Sequence, residues 1–290
     1  MLARLEATCD VERYDGSTAI TEEELKARIA DKHALLCLLT DPVTPAVLDA
    51  APVLKIVANI AVGYDNIDVA AAKARGIVVT NTPDVLTEAV AEFTWGLILA
   101  LTRRIAEGER LLRRREWNGW ALDFMLGMEL GGKQLGIIGR GRIGRAVAAK
   151  APAFGMTVAF AGHDLSLDEL LVSSDVISIH APANEQTRHL IDKRALARMK
   201  RSAFLVNTAR GSIVDEKALA WALKEHLISG AALDVYEREP AVEAALLSME
   251  QVVLAPHLGS ATRETRTAMA DLAVRNVLAV LGGEPPITPV

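Results

Sequence analysis

The sequence predicts an α/β protein built from two doubly wound parallel sheets. Short strand-like runs alternate with helical patterns along most of the 290 residues, and such alternation is typical of βαβ units. A glycine-rich turn at residues 139–144 lies between a strand-like run and a helical run. The chain length corresponds to about two domains of ordinary size.

The first segment is predicted to form one of these sheets. Strand-like runs alternate in it with helical patterns: strands at residues 11–14, 34–39, 54–60 and 77–79, and helices at 21–30 and 69–75. Thr21, followed three residues later by Glu24, is a capping box that supports a helix start. The run at 54–60 leads into a glycine turn whose free amides suit a carboxylate ligand, but a plain connection explains the turn equally well.

A long helical pattern at residues 87–107 marks the predicted domain boundary. The tripeptide Asn-Thr-Pro at 81–83 precedes it and provides a stop for the first sheet. We place a hinge between two domains here.

Large apolar side chains cluster in the connection that follows. Trp117, Trp120, Phe124 and Met125 lie within it, although the whole chain has only four Trp and five Phe residues. Such side chains in a surface connection indicate an interface with another protein. A satellite core cluster explains them nearly as well.

The central turn has the pattern of a dinucleotide-binding motif. An apolar run at 135–138 meets Gly139, Gly141 and Gly144, and an Ala-rich helical stretch leads to a second strand-like run at 157–161. The first glycine permits a tight turn, the second lets the backbone approach a pyrophosphate, and the third lets helix and strand pack closely. We predict dinucleotide binding; a purely structural turn is the alternative.

The residues that follow the predicted strands form the candidate site, because ligands bind at the carboxyl ends of an open parallel sheet. Further strands are predicted at 176–179, 203–206, 230–233 and 252–254, separated by helices at 167–172, 193–199 and 216–225, with a last helix at 262–281. The candidate cofactor-binding residues are Thr87, Gly139, Gly141, Arg142, Ile143, Gly144, His180, Ala181, Pro182, Thr208, Ala209, Arg210, Asp234, His257 and Gly259. The candidate substrate-binding residues are Val62, Gly63, Arg210 and His257.

Three of the side chains at these strand ends fit hydride transfer between a nicotinamide and a 2-oxo acid. The guanidinium of Arg210 can hold the substrate carboxylate and carbonyl oxygen with two hydrogen bonds. His257 would protonate the developing alkoxide, and Glu239 would keep its imidazole protonated. Taken alone, each has a simpler explanation: a surface ion pair, a turn cap before a proline, and a loop histidine.

These motifs together resemble the D-isomer-specific 2-hydroxyacid dehydrogenase family, and most closely its glyoxylate/hydroxypyruvate reductases. The shared segments are Ala-Val-Gly-Tyr-Asp-Asn-Ile-Asp at 61–68, Asn-Thr-Pro-Asp-Val-Leu-Thr at 81–87, Gly-Arg-Gly-Arg-Ile-Gly at 139–144, Asn-Thr-Ala-Arg-Gly at 207–211, Gly-Ala-Ala-Leu-Asp-Val at 230–235 with Glu-Pro at 239–240, and Pro-His-Leu-Gly-Ser-Ala-Thr at 256–262. They span nearly the whole chain.

The resemblance implies a Rossmann cofactor domain, the dinucleotide-binding domain of residues 82–265, inserted in a flavodoxin-like substrate domain formed by residues 1–81 and 266–290. The substrate domain is expected to lack its first strand, because the sequence opens inside what should be the family's first helix, and the run at 11–14 would then have no neighbour on one side. Arg140 stands where the family usually has an apolar residue. Between residues 161 and 167 the chain also omits a helix and a strand that flank the adenine ribose in the family.

The resemblance also implies functional roles and a partner. Arg210, Glu239 and His257 are the implied catalytic set, with His257 as the proton donor. Further implied roles place Val62 and Gly63 on the substrate carboxylate and Asp234 near the nicotinamide amide. A homodimer through the cofactor domain and the 117–125 region is also implied, with Trp120 reaching the partner's site.

Two other functions stay open at this point. One is a phosphoglycerate-type or D-lactate-type dehydrogenase of the same family. The other is a dinucleotide-sensing, corepressor-like binding protein, since an intact catalytic set does not exclude that role.

The cofactor is expected to be NADP(H) or NAD(H), and the sequence favours NADP(H). The carboxylate that selects NAD(H) usually follows the second strand of a dinucleotide fold, and here Gly162 holds that position. His163 beside it could donate a hydrogen bond to a 2′-phosphate. Asp164 argues the other way, because a carboxylate turned inward would reject the phosphate.

The composition limits the remaining partners. A net charge of −5 argues against a nucleic-acid surface, and the basic cluster at 110–115 is expected to be a solvated helix face. The sequence has no apolar run of membrane-spanning length and no signal-peptide core near the start, so we expect a cytoplasmic location. Cys9 and Cys37 form no metal or redox motif, and a metal site is not expected.

Overall fold

Two parallel sheets organise the computed structural model, which describes residues 2–290. They belong to two α/β units. The first unit runs to Leu86 and resumes at Thr262, and the second comprises Thr87–Ala261. The α/β class and the parallel sheets predicted from the sequence are confirmed.

The first unit contains a three-stranded sheet in the order β1-β2-β3. Its strands are β1 (Ala34–Cys37), β2 (Ile56–Asn59) and β3 (Val78–Thr80), and its helices are α1 (Leu2–Glu6), α2 (Glu22–Ile29), α3 (Pro45–Asp49), α4 (Val69–Ala74) and the C-terminal helix Arg263–Leu281. All four residues of β2 are buried. Val57 packs with Val47 on one side, and Ile56 packs with Val277 of the C-terminal helix on the other. Helices on both faces explain why the strand is buried along its whole length.

The second unit contains a six-stranded parallel sheet in the order β5-β4-β6-β7-β8-β9. The strands are β4 (Gln134–Ile138), β5 (Thr157–Phe160), β6 (Val176–Ile179), β7 (Phe204–Asn207), β8 (Gly230–Leu233) and β9 (Val252–Leu254). The helices are α5 (Thr87–Thr102), α6 (Ile105–Arg113), α7 (Arg142–Lys150), α8 (Leu167–Ser173), α9 (Lys193–Arg198), α10 (Glu216–Lys224) and α11 (Ala244–Leu247).

Alternate residues of these strands pack on opposite sides of the sheet. Val176 and Val206 lie in a core with α5 and α7, whereas Ile177 and Leu205 lie in a core with α8, α9 and α10. Both faces are therefore covered by helices, and the strand order reverses beside β4. The first βα turn and the end of β6 meet at this reversal, where ligands bind in doubly wound sheets.

Strand β5 lies at the edge of this sheet. After Phe160 the chain makes a short turn, in which the Gly162 amide donates to the Leu165 carbonyl, and then enters α8. Ser166 and Glu169 form a capping box at the start of that helix. The turn takes the place of the additional helix and strand that the family resemblance implied, which leaves the end of β5 uncovered by another strand.

The predicted strand at residues 11–14 is wrong. This segment has no strand partner, and the sheet of the first unit starts at β1. The side chain of Arg28 from α2 binds it instead, donating to the Arg13 carbonyl at 2.7 Å and to the Glu12 carboxylate at 2.8 Å. The segment is thus held against α2 by side-chain bonds and not by a strand ladder.

The single helix predicted at 87–107 is also wrong, because it is divided into α5 and α6. Arg104 between them has a left-handed backbone with φ 52°. The Met128 amide donates to the Thr102 carbonyl at 2.8 Å, and a side chain at Gly127 would collide with that carbonyl. The segment that returns at Met128 thus hydrogen-bonds a backbone carbonyl at the end of α5. No helix in the described residues is long and apolar enough to cross a membrane.

Candidate active site

The candidate residues of the second unit lie at the carboxyl ends of its strands, as predicted. Gly139, His180, Thr208 and Asp234 directly follow β4, β6, β7 and β8, and His257 comes three residues after β9. Because these strands are parallel neighbours, their ends share one edge of the sheet. The order of elements therefore collects groups that are more than a hundred residues apart in sequence.

The glycine turn between β4 and α7 has the geometry that a pyrophosphate needs. Gly139 has φ +102°, and a side chain there would strike the backbone of His180 and Ala181. A side chain at Gly144 would collide with the Gly139 carbonyl. At Gly141, by contrast, an added Cβ meets no atom within 4 Å. Internal packing thus requires two of the glycines, and the third keeps open space at the start of α7, which suits a dinucleotide.

His257 and Glu239 form a hydrogen-bonded pair. The Nδ1 atom of His257 lies 2.9 Å from Oε2 of Glu239, and both side chains are about 30% exposed, at 28% and 30%. The other carboxylate oxygen of Glu239 accepts from the Tyr236 amide. Partial burial alone would raise the pKa of Glu239, but the hydrogen bond and charge of His257 outweigh it and hold that pKa below its usual value.

Arg210 lies close enough to this pair for its charge to act on it. The positive charge of Arg210 contributes to the lowered pKa of Glu239. The backbone of the arginine is fixed by Asn207, whose side chain donates to the Arg210 carbonyl and accepts from the Ala209 amide. The Arg210 guanidinium donates to the Ala209 carbonyl at 2.7 Å. Arginine, carboxylate and histidine are thus brought together.

Asp234 fixes the segment that carries His257. Its two carboxylate oxygens accept from the amides of Leu258 at 2.6 Å and Gly259 at 2.8 Å, and its carbonyl accepts from the His257 amide. Burial raises the pKa of Asp234, and the two amide donors oppose that shift. These contacts hold His257 in a left-handed backbone conformation with φ 55°. The side chain of Asp234 therefore positions the histidine segment.

His180 is neutral in its surroundings at the end of β6. Burial lowers the pKa of His180 to about 3, and its Nε2 atom lies 2.8 Å from the Ser178 hydroxyl. Ala181 beside it is buried, and Pro182 is exposed. The backbone of His180 and Ala181 packs against Gly139. The neutral imidazole of His180 adds no positive charge beside the glycine turn.

The comparisons with known proteins identify the family of this chain. The model of the D-isomer specific 2-hydroxyacid dehydrogenase NAD-binding domain matches residues 95–259, more than half of the chain. The chain belongs to this dehydrogenase family. It is 47% identical to a glyoxylate reductase of Thermofilum pendens, over 98% of this chain and 89% of that one.

Two solved structures show the same architecture as this dehydrogenase. A protein of Thermus thermophilus has a TM-score of 0.94 and 43% identity, covering 100% of this chain and 96% of that one. An NADPH-dependent glyoxylate/hydroxypyruvate reductase of Sinorhizobium meliloti, solved with NADP and malonate, has a TM-score of 0.89 and 37% identity, covering 100% and 92%. The expectation of a nicotinamide dinucleotide cofactor is confirmed.

Other predicted cofactor residues lie at helix starts of the dehydrogenase. Thr87 is the first residue of α5, and Arg142 and Ile143 are the first two residues of α7. Thr208 contributes a hydroxyl 3.0 Å from the hydroxyl of Thr94 on α5. The contact between the Thr208 and Thr94 hydroxyls was not predicted, because Thr94 falls within an apolar helical pattern that gives no sign of a polar partner.

The sequence also failed to reveal a carboxylate that holds the Glu239 loop. Glu216, which is 6% exposed, accepts from the amide of Glu237 at 2.5 Å and from that of Glu243 at 2.9 Å. The Glu237 side chain in turn accepts from the Glu216 amide, and lies 3.1 Å from His189. A glutamate in the first turn of a helix is normally solvated, so the hydrogen bonds that Glu216 accepts from this loop could not be predicted from the sequence.

Val62 and Gly63 lie in the other unit, in the turn after β2. Asn59 donates its side-chain amide to the Gly63 carbonyl at 2.7 Å, and Asn81 donates to the Val62 carbonyl at 2.8 Å. Both carbonyls are thereby fixed by side chains of their own unit. Their role in binding substrate stays a prediction.

A cavity of about 570 Å³ opens at the opposite edge of the six-stranded sheet. Its walls include Lys133, Asp175, Ser202 and Ser229, which precede β4, β6, β7 and β8. These are the amino ends of the strands. The cavity is therefore separate from the residues that carry the proposed chemistry.

Proposed function

We propose that this dehydrogenase reduces a small 2-oxo acid of the glyoxylate or hydroxypyruvate type to the D-2-hydroxy acid. The observation that carries the proposal is the His257–Glu239 pair at 2.9 Å, beside Arg210 and the cofactor turn. The relatives named above, a glyoxylate reductase and a glyoxylate/hydroxypyruvate reductase, support the substrate class. A carboxylate next to a ketone or aldehyde is the feature that these substrates share.

The cofactor would be held by the strand-end residues of the second unit. The glycine turn and the start of α7 would take the pyrophosphate, and the segments at 180–182 and 208–210 would line the path to the nicotinamide. When bound, the nicotinamide supplies the hydride that reaches the substrate carbonyl carbon. Every other contribution comes from side chains of this chain.

Arg210 would orient the substrate. A guanidinium offers two parallel donors, so it can bind the carboxylate and the carbonyl oxygen of a 2-oxo acid at once. Positioning of this kind removes much of the entropic barrier to the reaction.

His257 would supply the proton. Glu239 lies at Nδ1 of the imidazole, so we assign the proton that is delivered to the substrate oxygen to Nε2. As the carbonyl carbon gains the hydride, the oxygen takes this proton, and the imidazole becomes neutral. The carboxylate of Glu239 faces the imidazolium before the transfer and offsets its positive charge, and the histidine takes up a proton from solvent afterwards.

A turnover assay tests the proposal against its alternatives. Glyoxylate, hydroxypyruvate, pyruvate, 2-oxoglutarate and 3-phosphohydroxypyruvate are supplied with each reduced cofactor. We expect the highest kcat/KM for glyoxylate or hydroxypyruvate, and a loss of roughly 10²–10⁴-fold in kcat for His257→Ala with a much smaller loss of cofactor affinity. A preference for 3-phosphohydroxypyruvate or pyruvate indicates the phosphoglycerate or D-lactate type. Cofactor binding without turnover of any acid indicates the sensing protein.

We also propose that the protein works as a homodimer through an arm of its second unit, residues 105–126. Helix α6 in this arm has no buried residue, and the side chains of Trp117, Trp120, Leu122 and Leu126 are more than half exposed. A satellite core cluster would have buried these side chains. A second copy of the same chain is the occupant that the family resemblance implies.

A further inference from the structure

Arg140 lies between the first two glycines of the cofactor turn, directly after β4. Its guanidinium carbon is 5.7 Å from the centre of the Phe160 ring, and Phe160 is the last residue of β5. A guanidinium stacks on an aromatic face, which keeps its charge in one place. Arg140 therefore holds a positive charge at the carboxyl end of β5.

The carboxyl end of β5 is the place where a dinucleotide fold distinguishes its two cofactors. There a carboxylate binds the 2′-hydroxyl of the adenine ribose of NAD, or an arginine accommodates the 2′-phosphate of NADP. We propose that Arg140 binds the 2′-phosphate of NADP(H) and gives this dehydrogenase a preference for the phosphorylated cofactor. The inference rests on the proposed function, since it concerns the cofactor of the same reaction.

The shortened connection after β5 contains no other cation that is permanently charged. Residues 161–167 hold neither arginine nor lysine, and among the described residues no carboxylate forms a salt bridge with Arg140. An added Cβ at Gly162 would meet no atom within 4 Å, so the space beside the strand end is open. Arg140, on the neighbouring glycine turn, can therefore supply the positive charge that residues 161–167 lack.

Asp164 is the group that would oppose a phosphate here, and its carboxylate is already bonded. One oxygen accepts from the Phe160 amide at 2.9 Å, and the other lies 2.6 Å from Nδ1 of His163. The hydrogen bond from His163, then that from Phe160, lowers the pKa of Asp164, and the charge of Arg140 adds to the shift. Both oxygens are thus bonded within the turn, and only their remaining lone pairs could accept from the ribose hydroxyls.

Direct binding measurements test Arg140 without relying on turnover. Isothermal titration gives Kd for NADPH and NADH, and for the fragments adenosine 2′,5′-bisphosphate and 5′-AMP, which differ only in the 2′-phosphate. We expect the parent to bind each phosphorylated member of the two pairs more tightly. Arg140→Leu should weaken only those members, by roughly 10- to 100-fold, as for one hydrogen bond between charged groups.

Two further variants act as controls. Arg145→Leu removes an exposed arginine from α7, the helix that follows the turn, and should leave the discrimination between the two fragments unchanged. Arg140→Lys keeps the charge but loses the planar fork, so it should restore part of the discrimination.

Three results would overturn the inference. Equal losses for both fragments in Arg140→Leu would assign the arginine to the pyrophosphate. A parent that does not discriminate, or one that prefers NADH until Asp164→Asn removes the preference, would show that Arg140 does not select the cofactor. If neither dinucleotide binds the parent at all, the proposed function fails as well, and this outcome is distinct from the other two.

Discussion

The charge of Glu239 is fixed by its surroundings at the candidate active site. His257 and the Tyr236 amide each bond one of its oxygens, and its pKa is lowered. A carboxyl with a lowered pKa in the folded state contributes stability that is present above its ordinary pKa and is lost as the pH falls through the lowered value. The pair with His257 therefore persists at neutral pH and in mild acid.

Removal of that charge should alter the pH dependence of the reaction. Glu239→Gln keeps the size of the side chain, but the protonated imidazole loses an opposite charge 2.9 Å away. We expect the alkaline limb of kcat/KM to move to lower pH, because the proton donor loses the opposite charge that favours its protonated form. A pH profile of kcat/KM between pH 5 and 10 measures the limb. An unchanged profile in Glu239→Gln would refute the pairing as a functional one.

At the scale of the elements, the glycines of the cofactor turn are needed for two different reasons, internal packing and the approach of a ligand. The glycine pattern in the sequence does not distinguish these reasons. Gly144 is required by the contact between α7 and the turn, because any side chain would strike the Gly139 carbonyl. Gly141 has φ −75° and open space around its Cα, so only a ligand requires it. A pair of alanine variants distinguishes the two requirements.

We expect Gly141→Ala to fold normally and to bind the cofactor poorly. Its backbone conformation suits alanine, so its melting temperature should equal or slightly exceed that of the parent, while Kd for NADPH rises at least about tenfold because the Cβ occupies the approach of the pyrophosphate. Gly144→Ala should instead lower the melting temperature, since the helix must shift from the turn. Thermal unfolding and titration calorimetry check both. Equal stability losses in the two variants would contradict the assignment of Gly141 to the ligand.

Most strands could be predicted from the sequence because they are short apolar runs with glycine or proline nearby. The predicted bounds of β6, β8 and β9 are those of the structure. The break between α5 and α6 could not be predicted, because Ile105 continues the apolar pattern of α5 and the cause, a bond from the Met128 amide to the Thr102 carbonyl, is tertiary. The segment 11–14 has strand composition, but a strand needs a partner that composition does not reveal.

The candidate site was predictable to the extent that topology determines it. The rule that ligands bind at strand ends located Arg210, Asp234 and His257 without any structure. It did not reveal that Asp234 bonds the amides of Leu258 and Gly259, or that Glu216 holds the Glu239 loop. Those contacts depend on where loops return, and a single sequence carries no signal for that.

At the scale of the whole molecule, the arm at residues 105–126 has large apolar side chains that nothing within the described part of one chain covers. Trp120 and Leu122 are 81% and 82% exposed, and burial of such side chains contributes about 1.5–3 kcal/mol each. Exposed apolar side chains that lie close in sequence are typical of an interface. The basic residues of α6 are paired within the unit, for example Arg110 with Glu250 at 2.9 Å, so the proposed association would rest on apolar contacts.

Sedimentation velocity should show that the parent protein is a dimer and that a double variant of the arm, Trp120→Ser with Leu122→Asp, is a monomer at micromolar concentration. The substitutions remove apolar area at the proposed interface and add a charge that burial would penalise. Leu247→Asp is the matched control, because Leu247 is 63% exposed in the same unit but lies outside the arm; it should stay dimeric. A monomeric parent, or a double variant that remains dimeric with an unchanged dissociation constant, would show that the arm does not join two copies.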